Sequence, residues 1–234
     1  MNREQFIFEV EKLGIEVTSE KLEKLEYFYN LLIEWNNKIN LTTIVEKEAV
    51  YLKHFYDSLT LIKAINLNDK LNLCDVGSGA GFPGIVLKIF FPTLNIVLVD
   101  SLNKRVLYLN EIIKKLNLDD IVAIHSRMED FSKVNSEKFD VITARAVSSL
   151  SVLTEISVRA VKLNGHLVFM KANCDEEIEA ISRILDKLGL ILDSTTKFVL
   201  PIEESNRTLV SFRKKYKTDS KYPRTIDKIK RNPL

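Results

Sequence analysis

The sequence predicts an α/β protein built on a doubly wound, mostly parallel seven-stranded sheet, closed by an antiparallel terminal hairpin and preceded by an N-terminal helical extension. Three observations carry this reading. From Leu71 onward short apolar runs alternate with longer amphipathic ones, the pattern of strands joined by crossover helices. Four of only seven glycines, Gly77, Gly79, Gly81 and Gly84, fall within eight positions directly after the first apolar run, where a strand would turn sharply into a helix. The last two apolar runs, Thr196 to Leu200 and Arg207 to Arg213, are separated by a polar loop too short for a crossover helix, so they should pair antiparallel.

The extension comes first. From Thr18 to Asn40, Leu22, Leu25, Phe28, Leu32, Trp35 and Ile39 recur at steps of three and four, the stripe of a long amphipathic helix. Ala49, Leu52, Phe55, Leu59 and Ile62 mark a second helix ending near Ile65, and the polar stretch from Asn66 to Lys70 closes the segment. The sheet follows: a strand over Leu71 to Val76, a helix over Pro83 to Phe91, a strand over Asn95 to Asp100 and a helix over Asn103 to Asn117. Strands Ile121 to His125, Phe139 to Ala144 and Gly165 to Lys171 come next, with helices over Ser149 to Val161 and Glu176 to Leu188, and then the hairpin. The expected divisions are a helical extension over 1–66, a central domain over 67–215 and a basic tail over 216–234.

Composition narrows the class. A chain 46% hydrophobic and 28% charged is neither disordered nor fibrous. Lys88, Lys104 and Lys171 interrupt the apolar runs, so no membrane span is expected, and Glu4, Glu9 and Glu11 oppose a secretory leader. A cytoplasmic protein with reduced thiols follows, because Cys74 and Cys174 stand a hundred positions apart and support neither a disulfide framework nor a zinc cluster. No metal is expected. From Arg213 to Arg231 there are nine Lys or Arg against two Asp in a chain of net charge +2. The positive charge is thus concentrated in the tail, with Tyr216 and Tyr222 interleaved, which suits phosphate contacts and base stacking. The bland alternative is a solvated terminal charge run.

Asp75 to Gly84 reads D-V-G-S-G-A-G-F-P-G. Such a loop lets a ligand approach backbone without meeting a Cβ. Two registers coexist. Gly79, Gly81 and Gly84 form the G-x-G-x-x-G of dinucleotide sites, whereas Gly77, Gly79 and Gly81 form G-x-G-x-G with Asp75 ahead, which resembles the S-adenosylmethionine loop of class I (Rossmann-like) methyltransferases. Asp100, at the end of the second strand, can accept hydrogen bonds from ribose hydroxyls of either cofactor or can simply cap a helix. An NAD-dependent oxidoreductase and a non-catalytic RNA-binding module remain the alternatives to a methyltransferase.

Further motifs extend the resemblance. Trp35 to Thr42 (W-N-N-K-I-N-L-T), His54 to Leu59 (H-F-Y-D-S-L), the glycine loop, Ala144 to Val147 (A-R-A-V) and Lys221 to Arg224 (K-Y-P-R) together resemble the ribosomal small-subunit RNA methyltransferase G family, also called glucose-inhibited division protein B. The resemblance implies transfer of a methyl group from S-adenosylmethionine to N7 of one guanosine in the decoding-region loop of 16S ribosomal RNA, with that RNA or the small ribosomal subunit as partner; a monomer is expected. It implies that Gly77 and Phe82 line the cofactor, that Met128 and Glu129 meet its adenosine end, and that Arg145 reaches the site from the fourth strand. Gly79, Gly81 and Asp100 complete the expected cofactor set. His54, Lys171, Arg207, Lys221 and Arg224 are the expected RNA contacts. Two departures stand out: Lys171-Ala172-Asn173 where relatives tend to carry glycine after the lysine, and the divergent stretch from Thr225 to Arg231.

Chemistry agrees with an N7 target. Methylation of an exocyclic amine must dispose of a proton, and carbon methylation of cytosine needs a thiolate, for which Cys174 is the sole candidate and more simply an incidental residue at a helix start. Guanine N7 offers a lone pair and no proton, so alignment can suffice. No catalytic group is assigned, although Arg145 and His54 are candidates. A structural His54–Asp57 contact, three residues apart on one helix face, is the alternative to a substrate role for His54.

Overall fold

The computed structural model describes residues Met1–Leu234. The extension contains α1 (Arg3–Glu11), α2 (Ser19–Ile39), α3 (Lys47–Val50), a π-helical turn (Tyr51–Tyr56), α4 (Asp57–Leu59) and a 3₁₀ turn (Thr60–Lys63). Asn2 and Gln5 cap the start of α1 reciprocally, and the Thr18 hydroxyl accepts the Lys21 N–H at the start of α2. At its end Asn40 takes the left-handed conformation, and the Asn36 side chain accepts the N–H groups of Leu41 and Thr42 at 2.7 and 2.8 Å.

The sheet has strand order β3-β2-β1-β4-β5-β7-β6. Its parallel strands are β1 (Asn72–Val76), β2 (Asn95–Asp100), β3 (Ile121–His125), β4 (Phe139–Arg145) and β5 (Val161–Lys171), and the hairpin is β6 (Leu190–Val199) and β7 (Asn206–Lys214). β7 lies between β5 and β6 and is antiparallel to both. The strand order reverses between β1 and β4, which opens a crevice at the carboxyl ends of these strands.

Helices α5 (Gly84–Phe90) and α6 (Asn103–Lys115) cover one face together with the extension, and one apolar core joins them: Phe28, Phe55, Phe82, Ile85, Leu98 and Tyr108 belong to it. On the other face α7 (Met128–Val134), α8 (Leu150–Ser157), α9 (Asp175–Ser182) and α10 (Leu185–Leu188) form a second core, and α11 (Ile226–Arg231) joins it through Ile229. No helix is long and apolar enough to cross a membrane.

Several expected boundaries shift. The expected helix over Ser149 to Val161 ends at Ser157, and β5 begins at Val161 and runs through Asn164-Gly165, which reads as a turn in sequence. β6 begins at Leu190, directly after Gly189 closes α10 in the left-handed conformation, so the expected strand at Thr196 is only its second half. The second helix of the extension is broken by the π-helical turn. Helices α1, α7 and α11 are additions to the expected set.

The tail is not a free basic arm. Because β7 runs antiparallel to β5, Thr208 pairs with Lys171 at the crevice end while Arg213 pairs with His166 toward the opposite edge. Lys214, only 1% exposed, donates to the carbonyls of Val158 and Val161 at 3.1 and 3.0 Å. Arg224 grips the fully buried Glu155 of α8 with Nε and Nη2, both at 2.7 Å, while its backbone N–H donates to the same carboxylate at 3.0 Å. Lys221 pairs with Asp219 at 3.0 Å. The expectation that Arg224 contacts RNA is therefore corrected, since its charge is committed to Glu155, and Lys214, within the basic run, is likewise turned inward onto two carbonyls and Glu137 at 3.4 Å.

Candidate active site

The glycine loop leaves β1 at Val76 and is pinned to the neighbouring strand, with Gly77 N–H donating to the Val99 carbonyl at 2.7 Å. Gly79 has φ +55°, and a Cβ there would point into open space, with Gly77 O its nearest neighbour at 3.7 Å. This is the bare backbone that a ligand can approach. Gly81 does different work, since a Cβ there would meet Ile85 Cγ1 at 2.7 Å; it lets α5 pack closely and does not face the crevice.

Asp100 does not cap the helix that follows it but braces the glycine loop. Its Oδ2 accepts the Gly79 N–H and its Oδ1 accepts the Leu102 N–H, each at 2.9 Å, while Arg105 Nη1 lies 3.5 Å away. The carboxylate thus braces the loop and also lines a cavity of about 330 Å³ with Leu41, Thr42, Gly77, Gly79, Phe82 and Arg145. Ahead of the loop, burial pushes the Asp75 carboxyl up to about 7, held back by the Gly84 N–H on Oδ2. Its Oδ1 is buried without a partner.

A second cavity, of about 480 Å³, is lined by Lys53, His54, Asp57, Arg145, Lys171 and Arg207 among others. The two cavities share His54, Arg145 and Ala146. Arg145 Nη1 donates to the Lys53 carbonyl at 2.9 Å and to Asp57 Oδ2 at 3.0 Å, and its Nη2 lies 3.2 Å from His54 Nδ1. His54 Nδ1 also lies 3.2 Å from the Lys53 carbonyl, and its Nε2 is 3.0 Å from Thr42 Oγ1, so both ring nitrogens have polar neighbours. Burial, and secondarily the Arg145 guanidinium, push the His54 pKa down to about 3. The His54 ring stacks on Phe82 at 4.5 Å, and Arg145 lies over the same ring at 5.1 Å. Lys171 donates to Ser148 O at 3.1 Å and pairs with Glu177 at 2.9 Å; Glu177 in turn accepts the Leu150 N–H that opens α8.

The expected residues therefore divide. Gly77, Gly79, Phe82 and Asp100 border the first cavity, Lys171 and Arg207 the second, and His54 and Arg145 both. Met128 and Glu129 are buried at the start of α7 and border neither. His54 and Asp57 do not bond each other; each bonds Arg145. Sequence reasoning did not name Leu41, Thr42, Ser101, Arg105 and Val147 as site residues, and it placed Asp57 only as a structural partner of His54. Leu41, Thr42 and Val147 lay inside motifs already singled out, while Ser101 and Arg105 had no signal of their own. Cys174 is buried, and burial raises its thiol pKa, which opposes a thiolate role. A larger groove of about 1170 Å³ runs between β3 and α7 and contains none of these residues.

Comparison with known proteins decides the family. Residues 21–208 match the model of rRNA small subunit methyltransferase G (GidB). The chain belongs to that family. Its relatives include a ribosomal RNA small subunit methyltransferase G of Bacillus pumilus, 45% identical over all of this chain and 99% of its own length, and one of Bacillus thuringiensis, 47% identical over 96% of this chain and 95% of its own. Among solved structures, an S-adenosylmethionine-dependent methyltransferase from Aquifex aeolicus aligns with TM-score 0.54 and 18% identity over 72% of this chain and 94% of its own, and TYW2 of M. jannaschii, in complex with AdoMet, with TM-score 0.52 and 16% identity over 67% and 74%. These two show the fold. The family's cofactor is S-adenosylmethionine, and the first cavity fits it: bare glycine backbone at Gly79, a carboxylate at Asp100 and an aromatic wall at Phe82. The oxidoreductase alternative has no support.

Proposed function

We propose that the protein methylates N7 of a guanosine in the decoding-region loop of 16S ribosomal RNA. The observation that carries this reading is the junction of the two cavities at His54, Arg145 and Ala146, where a base in the second cavity would face a methyl donor in the first. Bound S-adenosylmethionine supplies an electrophilic methyl group on a sulfonium. Gly77, Gly79 and Asp100 hold the cofactor by backbone and carboxylate, while Arg145, Arg207, Lys53 and Lys171 give the second cavity a cationic lining suited to a nucleotide.

Each basic group at the junction is already engaged. Both His54 ring nitrogens have polar neighbours, Arg145 and the Lys53 carbonyl at Nδ1 and Thr42 at Nε2, and the two Asp57 oxygens accept from Arg145 and Arg207 at 3.0 Å each. Removing a proton from an exocyclic amine would require one of them to be free. An N7 lone pair makes no such demand, so alignment of acceptor and methyl is the chain's main contribution. RNA contact is assigned to the crevice rim, and within the basic run Arg224 and Lys214 are set aside because they are internally paired, while Lys215, Lys217, Lys228, Lys230 and Arg231 are exposed.

The test is incubation of the protein with labelled S-adenosylmethionine and small ribosomal subunits or their RNA, followed by mass mapping of the modified nucleotide. Label on N7 of a single guanosine in that loop is expected. Label on another atom or another RNA, or RNA binding with no label, would overturn the reading.

A further inference from the structure

Asp57 sits where three separate parts of the chain meet. It opens α4 in the extension, Arg145 ends β4, and Arg207 lies at the start of β7. Only 4% exposed, it spends one oxygen on each arginine: Oδ2 on Arg145 Nη1 and Oδ1 on Arg207 Nε, both at 3.0 Å. Without that carboxylate two guanidinium groups would stand together at the wall of the second cavity with only mutual repulsion between them. The rest of the arrangement is directional. Arg207 Nη1 donates to the Asn206 carbonyl at 2.8 Å and approaches Ser205 Oγ at 3.4 Å, whereas Nη2 has no partner in the protein. Arg145 is bound on three sides, by Asp57, Lys53 O and His54 Nδ1.

We propose that Asp57 is the positioning residue of the substrate cavity: it fixes Arg145 and Arg207 as a pair, so that Arg207 Nη2 remains a preoriented donor for a carbonyl or phosphate oxygen of the target nucleotide. This rests on the proposed function and deepens it. The argument is one of preorganisation. An arginine whose Nε–H and Nη1 are already committed keeps its fork in one plane, so less freedom is lost when the nucleotide binds. Asp57 itself touches no substrate in this arrangement; it acts through the two arginines. The extension is thereby part of the site, since Thr42, His54 and Asp57 all come from it.

The experiment uses Asp57→Asn, Arg207→Ala and the double variant in the full chain. Asp57→Asn is expected to fold and to bind S-adenosylhomocysteine within about threefold of the parent, while kcat/KM for the RNA falls about 30-fold, the scale of a lost charged hydrogen bond. In the Arg207→Ala background the same change should cost well under about 30-fold, because one of the two groups it positions is gone and only its hold on Arg145 remains. Multiplicative losses in the double variant, or a parallel collapse of cofactor binding, would show a merely structural carboxylate and overturn the proposal. Should Asp57→Asn fail to fold, Asp57→Glu keeps the charge but moves it by one methylene; it should retain cofactor binding and lose RNA turnover, and full turnover would overturn the proposal. A readout independent of activity separates this from failure of the functional reading. In ¹⁵N spectra the Arg207 Nε–H should be protected from solvent exchange in the parent and exposed in Asp57→Asn, and equal exchange in both would refute the positioning role even if no RNA is methylated.

Discussion

At the scale of single residues, backbone conformation and burial decide what can be changed. Gly79 is held at φ +55°, where an L side chain is strained, and its missing Cβ faces the first cavity. Gly79→Ala should therefore cost about 1 kcal/mol of stability from backbone strain and lower cofactor affinity by more than about tenfold through its methyl in the approach path. Thermal unfolding and calorimetry with S-adenosylhomocysteine measure the two separately; unchanged affinity would remove Gly79 from the cofactor wall. His54 and Asp75 act on stability in opposite senses. His54 is pushed down from 6.5 to about 3, so between these values the unfolded chain binds the extra proton and stability falls as pH falls. Asp75 is raised from 3.8 to about 7, so between these values the folded chain binds the extra proton and stability falls as pH rises. Between about pH 4 and 6.5 the two largely cancel. Asp75→Asn, which keeps an acceptor for the Gly84 N–H, should unmask the histidine and steepen the loss on acidification by up to about 1.4 kcal/mol per pH unit. Denaturant titrations across that window check it, and an unaltered slope would mean that Asp75 titrates normally.

At the scale of elements, the tail shows how charge counts mislead. Its lysines and arginines read as a phosphate-binding run, yet Arg224 is the partner of a fully buried carboxylate and α11 packs its Ile229 into the second core. Arg224→Ala should leave Glu155 buried and uncompensated, costing about 3 kcal/mol, with little change in the salt dependence of RNA binding. Urea unfolding together with RNA titrations at several salt concentrations test this; a flattened salt slope with intact stability would return the residue to the RNA. Nothing in a single sequence reveals that partnership, because Glu155 lies 69 residues away on an ordinary helical stripe. The sheet was legible for the opposite reason: β1, β2, β3 and β4 are short apolar runs bounded by turn residues. β5 and β6 were misjudged at their starts because Asn164-Gly165 imitates a turn and Asp193 to Thr195 looks polar, although the first lies within a strand beside a register irregularity and the second on the strand at the sheet's edge. In the site, Gly79, Asp100 and Arg145 were readable from motif and strand end. Asp57 was not, because its importance depends on two arginines brought to it from β4 and β7.

At the scale of the whole molecule, the extension and the sheet share both a core and a site. Phe28 and Phe55 from the extension pack with Phe82 of the glycine loop at 5.4 and 6.0 Å, and Trp35 of α2 meets Tyr108 of α6 at 5.7 Å. Polar links cross the same boundary, from Asp57 to Arg145 and Arg207 and from Lys53 to Glu203. A unit so joined should not melt in parts, since detaching the extension would expose Phe82, Ile85 and Leu98 to water and leave the paired arginines without their carboxylate. Trp35 is the single tryptophan, so its fluorescence reports on the docked extension while far-ultraviolet circular dichroism reports chiefly on the sheet and its helices. The two probes should follow one urea transition with a common midpoint, as a single cooperative unit requires. A tryptophan transition that precedes the loss of dichroism would mean that the extension undocks independently. Binding of S-adenosylhomocysteine sharpens the test, because a ligand in the first cavity should raise the midpoints seen by both probes by the same amount if the extension and the sheet unfold together.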